Sequence, residues 1–152
     1  MKDIYNYQYL NEKLSSSGMP TAEQMQEVAE AGVQVVINLA LTTSPGALPD
    51  EDKLVESLGM KYIHIPVEWN NPTKQNLADF FIALDKHQEK KVLVHCQANY
   101  RASSFVMLYR VRRLGWKKGD AIPIMEKMWN PEDFPVWEKF IEENLAERVR
   151  KE

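Results

Sequence analysis

The sequence predicts an α/β fold, a three-layer sandwich in which a four- or five-stranded, mainly parallel sheet is flanked by helices. Three observations predict it. Short β-branched runs at residues 33–39, 60–67 and 91–96 alternate with helical patterns, the signature of parallel strands joined by crossovers. These runs are largely apolar, as strands covered on both faces should be. The 152 residues, 44% of them hydrophobic, carry no internal repeat and no low-complexity stretch, which fits a single domain over 1–152 with enough core to fold without cross-links.

Residues 4–19 read as an aromatic, turn-rich lead-in ending in Ser15-Ser16-Ser17-Gly18-Met19-Pro20. Thr21 and Gln24 then form a capping box, Met25, Val28 and Ala29 give an apolar helix face, and Gly32 supplies the stop. The strand 33–39 follows at once, and Pro45, Gly46 and Pro49 make residues 40–49 a loop at its C-terminal end. A short helix from Asp50 to Leu58 stops at Gly59. The strand 60–67 runs into Glu68-Trp69-Asn70-Asn71-Pro72, with Pro66 marking an end or edge of its pairing. Thr73 caps the next helix, on which Leu77, Phe80, Phe81 and Leu84 share one face. After the strand 91–96, residues 102–114 are helical, with Phe105, Val106, Leu108, Tyr109 and Val111 mostly inward and Gly115 as terminator. A helix over 119–129, a break at Asn130-Pro131-Glu132-Asp133-Phe134-Pro135 and an amphipathic helix on Trp137, Phe140, Ile141 and Leu145 complete the chain. The Met and Trp residues of this last part, Trp129 and Trp137 included, fill core.

Right-handed crossovers bring the C-terminal ends of parallel strands to one edge of the sheet, where ligands bind in such folds. That edge collects Asn38, Glu68 and Cys96. The stretch from Val92 to Ser103 reads as a buried strand, a tight turn and a helix start, with the chain's only cysteine as last strand residue and Arg101 five positions later. A thiolate beneath the N–H groups of a helix N-terminus is stabilised by the dipole and attacks electrophiles, and the same N–H groups hold an oxyanion. A lone cysteine at a strand end is ordinarily inert core; His95 before it, Arg101 after it and the helix starting there turn the reading toward reactivity. His64, inside a strand, reads as a hydrogen-bonded structural residue, and Tyr100 either lines the pocket mouth or is a plain loop aromatic.

One cysteine excludes an internal disulfide, and three scattered histidines exclude a metal site, so neither metal nor cofactor is expected. A net charge of −3 argues against nucleic-acid binding. The stretch Met1 to Asn6 lacks a basic-then-apolar leader, and no apolar run approaches the roughly 18 residues of a spanning helix, so the expectation is a cytoplasmic protein without membrane contact. From Arg101 to Lys118 stand six basic residues and no acid. They form either a solvated helix with cations at its favourable end or a field that draws an anion toward Cys96.

His95-Cys96 followed by an arginine at a strand-to-helix turn resembles the phosphate-binding loop of the cysteine-dependent protein tyrosine and dual-specificity phosphatases. Ser17-Gly18-Met19-Pro20, Ile37-Asn38-Leu39 and the run from Gly59 to Val67 extend the likeness over residues 14–110, to a bacterial phosphatase-like family associated with β-lactamase-like hydrolases. The resemblance implies hydrolysis of a phosphomonoester, of the phosphotyrosine or aryl phosphate kind, through a phosphocysteine intermediate. Its substrate would be a phosphorylated small molecule or a phosphoprotein. Cys96 would attack phosphorus, Arg101 would grip two oxygens through its planar fork, and His95 would polarise or orient the thiol from behind. Backbone N–H groups of Gln97, Ala98, Asn99, Tyr100 and Ala102 would form the cradle, with Ser103 adjacent.

This chain departs from the phosphatase pattern at four places. Four residues, not the usual five, separate Cys96 from Arg101, a gap shared with the bacterial family just named and with many rhodanese-type sulfurtransferases. A shorter loop is a narrower cradle and favours a single sulfur atom. Asn99 stands where glycine is usual, and asparagine tolerates the left-handed conformation. The usual aspartate acid is missing; Glu68 is the nearest candidate, with Trp69 on the expected position. The hydroxyl after the arginine is replaced by Ala102. A sulfurtransferase carrying a persulfide on Cys96, and a catalytically weak phosphate-binding module, therefore stand as alternatives.

Overall fold

In the computed structural model, which describes residues 1–146, the strands are β1 (Gln8–Asn11), β2 (Leu14–Ser17), β3 (Val35–Asn38), β4 (Lys61–His64) and β5 (Val92–His95). They form one sheet in the order β1-β2-β5-β3-β4, antiparallel between β1 and β2 and parallel elsewhere. The helices are α1 (Ala22–Glu30), α2 (Glu51–Ser57), α3 (Lys74–Lys86), α4 (Tyr100–Arg112), α5 (Lys118–Glu126) and α6 (Pro135–Ala146), with a 3-10 turn at Pro131–Asp133. The mainly parallel α/β sandwich expected from the sequence is the fold observed. Residues 147–152, included in the expected domain, lie outside the described residues.

Alternation along the strands produces the three layers. Val36 and Leu93 face Met25 and Val28 of α1 and Val55 of α2, whereas Val35, Ile37, Val92 and Val94 face the larger layer of α3, α4, α5 and α6. Both threonine caps form as expected: Thr21 and Gln24 bond reciprocally at 3.0 and 3.1 Å, and Thr73 does the same with Asn76 at 3.0 and 3.1 Å. Among the described residues no helix is long and apolar enough to cross a membrane.

Two expectations are corrected. Residues 4–19 are not only a lead-in: they hold the β1–β2 hairpin, and β2 lies parallel beside β5. Ser15, Ser16 and Ser17 look like loop residues yet are buried to 4%, 0% and 0% exposure, small side chains in a strand covered on both faces. The helix after Cys96 starts at Tyr100, and it is not a solvated cationic helix. Residues 101–110 are all buried, and Arg110 lies over the Trp116 ring at 4.2 Å with burial lowering its pKa. Arg113 pairs with Asp85. At about 1.5 Å per residue the group Arg110 to Arg113 stands roughly 15 Å along α4 from Arg101, so Arg101 alone of this helix's arginines is placed at the Cys96 loop.

Thr73→Ala, which removes the cap of the helix following the site loop, is expected to cost about 1 kcal/mol, read as a lower urea midpoint with an unchanged slope.

Candidate active site

β5 ends at His95, and Cys96 is the first residue beyond it. The chain must then reverse within four residues to enter α4, and Asn99 makes the reversal in the left-handed conformation, φ 69° and ψ 5°. An asparagine in that conformation costs on the order of 1 kcal/mol relative to glycine. The turn leaves the N–H groups of Gln97, Ala98, Tyr100 and Arg101 without an acceptor among the described residues, while the Ala102 N–H points at the Cys96 sulfur at 3.4 Å. Sulfur and helix N-terminus are thus in direct contact. Cys96 is 1% exposed, at the floor of a pocket of about 240 Å³ lined by Trp69, Gln97, Ala98, Tyr100, Arg101 and Phe134. Arg101 is buried and fixed by a 2.7 Å bond from Nη1 to the Val67 carbonyl.

Neighbouring segments pin the turn. The Cys96 N–H donates to Ser17 O at 3.3 Å, and Met19 N–H donates to Gln97 O at 3.0 Å. Asn6 Nδ2 donates to Ala98 O at 2.9 Å, and Asn99 Nδ2 returns a bond to Asn6 O at 2.8 Å. Gly18 passes so close that a Cβ on it would stand 2.7 Å from Gln97 O and 2.8 Å from the Tyr5 ring.

Behind the turn lies a buried polar chain. His95, fully buried, places Nε2 2.6 Å from Glu51 Oε2 and Nδ1 3.3 Å from the Cys96 carbonyl. Asn38 Nδ2 donates to Glu51 Oε1 at 3.2 Å and to the Tyr62 hydroxyl at 3.0 Å. Burial is the main cause that pushes the Tyr62 phenol up to about 12; the Asn38 bond opposes it, and the Glu51 and Asp52 charges add to it.

The family profile of the DSP-PTPase phosphatases fused to NAD+ kinase matches residues 4–128. The chain belongs to this phosphatase family. A DUF442 protein from Shewanella putrefaciens CN-32 is 40% identical, with 98% of this chain and 97% of that one covered at a TM-score of 0.88. The same fold appears in Tk-PTP, 19% identical with 95% and 98% covered and a TM-score of 0.77, and in Pseudomonas aeruginosa TpbA, 17% identical with 94% and 92% covered and a TM-score of 0.70. No curated protein matches the sequence. The resemblance to the cysteine-dependent protein tyrosine and dual-specificity phosphatases expected from the sequence is the one found, with NAD+ kinase rather than β-lactamase-like hydrolases in the name of the matching family.

In this phosphatase the structure brings together Cys96, Arg101, Gln97, Ala98 and Tyr100 around one pocket, with the Ala102 N–H on the sulfur and His95 behind. Asn99, expected for its backbone N–H, stands in the turn itself, and two other expected residues are not brought to the pocket. The Asn99 side chain turns to Asn6, away from the pocket. Ser103 spends its N–H on Asn99 O, bonds its hydroxyl to Tyr100 O at 3.2 Å and faces a crevice beside Gln8 and Met125. Glu68 is exposed and outside the pocket lining: a turn closed by Asn71 N–H on Glu68 O at 3.1 Å sends Trp69 inward in its place. His64 is structural, its Nε2 2.7 Å from Ala40 O.

Sequence reasoning missed Glu51, Asn6, and the aromatic wall. Trp69 stacks on Trp137 at 5.5 Å and meets Phe134 edge-on at 5.3 Å, and Tyr100 stacks on Trp129 at 4.8 Å. Trp137 Nε1 donates to Trp69 O at 2.7 Å and Trp129 Nε1 to Ser104 Oγ at 3.1 Å, which fixes the wall from behind. The break at residues 130–135, followed by Trp137, was the one signal for it.

Gly18→Ala forces the Gln97 carbonyl to move, and it is expected to lower the melting temperature and weaken orthovanadate binding by at least tenfold, measurable by thermal shift and inhibition. Tyr62 gives an alkaline signature. Its native value of about 12 lies above the ordinary 10.0, so its contribution to stability is complete below pH 10 and falls as pH rises through about 12. Tyr62→Phe, with no proton to lose, is expected to keep more of its stability across that window, followed by circular dichroism.

Proposed function

We propose that this phosphatase hydrolyses aryl phosphomonoesters, of the phosphotyrosine kind, through a covalent phosphocysteine on Cys96. The observation that carries the reading is a sulfur held by the Ala102 N–H at the floor of an aromatic-walled pocket, with unpaired N–H groups and Arg101 around it. The thiolate attacks phosphorus as the ester P–O bond breaks, and the leaving oxygen departs with the electron pair and takes a proton from solvent. Water then attacks the phosphocysteine, releasing inorganic phosphate and the thiolate. Arg101 and the loop N–H groups hold the three equatorial oxygens in both steps.

No carboxylate lines the pocket among the described residues, and Trp69 occupies the wall where an acid would act. Protonation of the leaving group by a positioned acid contributes roughly 10²–10⁴-fold, so a site without one favours leaving groups that need it least. Aryl oxides are such groups, and the faces of Trp69, Tyr100 and Phe134 suit a planar ring. A second reading, persulfide transfer through Cys96, is favoured by one observation, the four-residue gap before Arg101.

Aryl phosphates are expected to exceed alkyl phosphates in kcat/KM by about 10²–10⁴-fold. Cys96→Ser should abolish turnover and Arg101→Ala should lower kcat/KM by about 10²–10³-fold. Hydrolysis that survives in Cys96→Ser would overturn the mechanism, and equal rates on the two ester classes would overturn the substrate class. Thiocyanate formed from thiosulfate and cyanide, with a persulfide mass on Cys96, would decide for sulfur transfer instead.

A further inference from the structure

We propose that Glu51 is a positioning residue for the nucleophile: it holds His95 as the doubly protonated imidazolium, and that cation, adjacent to Cys96, keeps the sulfur in its thiolate form. The inference rests on the reading of Cys96 as the nucleophile.

With Glu51 ionised, the hydrogen-bond partners of the ring call for two protons. Nε2 faces a Glu51 carboxylate oxygen at 2.6 Å and Nδ1 faces the Cys96 carbonyl oxygen at 3.3 Å. Both are acceptors. A neutral imidazole carries one N–H and would turn the lone pair of its other nitrogen toward an oxygen, whereas the imidazolium donates on both sides. The carboxylate is aimed by an unusual local structure. Asp50 before it is left-handed, φ 55° and ψ 41°, and makes no cap bond, so α2 gives up its N-cap while Glu51, its first residue, turns inward to 5% exposure. Asn38 then holds the second oxygen, and its own Oδ1 accepts the Ala40 N–H at 2.8 Å, so the clamp is itself clamped.

A buried pair of this kind is a poor device for stability, because removing two charges from water costs about as much as their attraction returns. Its place directly behind a reactive sulfur gives it a chemical use instead: a cation near a cysteine favours the thiolate. The surrounding charges agree. β2 and β3 place Ser17 and Asn38 beside His95 in register, neither of them ionisable. Asp50 and Asp52 of α2, with Tyr62 and His64 of β4, line the adjoining cavity of about 690 Å³, and the two aspartates add negative charge on the Glu51 side. Tyr62 stays neutral up to about pH 12. Arg101, on α4, adds positive charge at the pocket.

Cys96 is the chain's only cysteine, so iodoacetamide labelling reads it alone. Glu51→Gln keeps the shape but lets the amide donate to a neutral ring. The expected result is alkylation about tenfold slower than wild type at pH 6 and equal at pH 9, a tenfold change in thiolate population being one pH unit. Nitrogen-15 spectra of wild type are expected to show both His95 ring nitrogens protonated near neutral pH. Equal alkylation at pH 6 in a folded Glu51→Gln protein, or an unprotonated ring nitrogen in the wild-type spectrum, would overturn the role. If Glu51→Gln does not fold, the spectrum decides alone. Alkylation needs no phosphate ester, so failure of the phosphatase reading and failure of this one give different results: a protein inert to aryl phosphates can still show the labelling difference, and an active one can lack it.

Discussion

A turn most of whose N–H groups have no partner among the described residues must be kept in one shape by what surrounds it, and much of the C-terminal edge of the sheet is arranged to that end. Unpaired N–H groups are costly to bury and bring no stability of their own, so the turn from Cys96 to Arg101 would relax if left to itself. It is held from the N-terminal side by Asn6, Ser17 and Met19, and from the far side by Arg101 bonding to Val67. Gly18 makes the N-terminal grip close enough to matter, since any side chain there would push the Gln97 carbonyl away. The hairpin preceding α1 is therefore part of the site, although it carries none of the reacting atoms.

The two sides of Cys96 have different chemical characters. In front, the pocket is walled by aromatic rings, which offer a planar apolar surface and leave anion recognition to the backbone and to Arg101. Behind, the layer is polar and bonded from member to member: His95, Glu51, Asn38 and Tyr62 form one connected chain. A connected network keeps each member in place because no group in it can turn without leaving another unsatisfied. Under the proposed function, the front selects what is bound and the back sets the state in which sulfur meets it.

How much of this was legible in the sequence depended on whether the deciding interaction was local. The capping box at Thr21, the cap at Thr73, the glycine after α1 and the strand-to-helix turn at Cys96 involve residues a few positions apart, and they form as expected. Asn99 could be read as left-handed because the requirement and the residue that meets it are the same position. β2 could not be read, because three serines become a strand only through β5, about 80 residues later, covering one side of it. Glu51 was hidden for the same reason: nothing near it in sequence says that a helix-start glutamate, normally solvated, lies against a histidine 44 positions on. Glu68 was the converse case, a residue at the right sequence position that a tight turn directs outward.

Trp69 shows what the exchange at that position does. An acid on this loop would have to be polar, mobile enough to follow the leaving oxygen and reachable by water. Trp69 carries no acid and is held in place: its ring packs against Trp129, Trp137 and Phe134, and its carbonyl is tied to the Trp137 indole at 2.7 Å. Binding surface has been put where proton transfer would otherwise be. The four-residue turn acts in the same direction, because fewer N–H groups around the anion leave more of the discrimination to the aromatic wall. Under the proposed function such a site recognises the leaving group at least as much as the transferred one, through the packed cluster that runs from Tyr100 through Trp129 to Trp69.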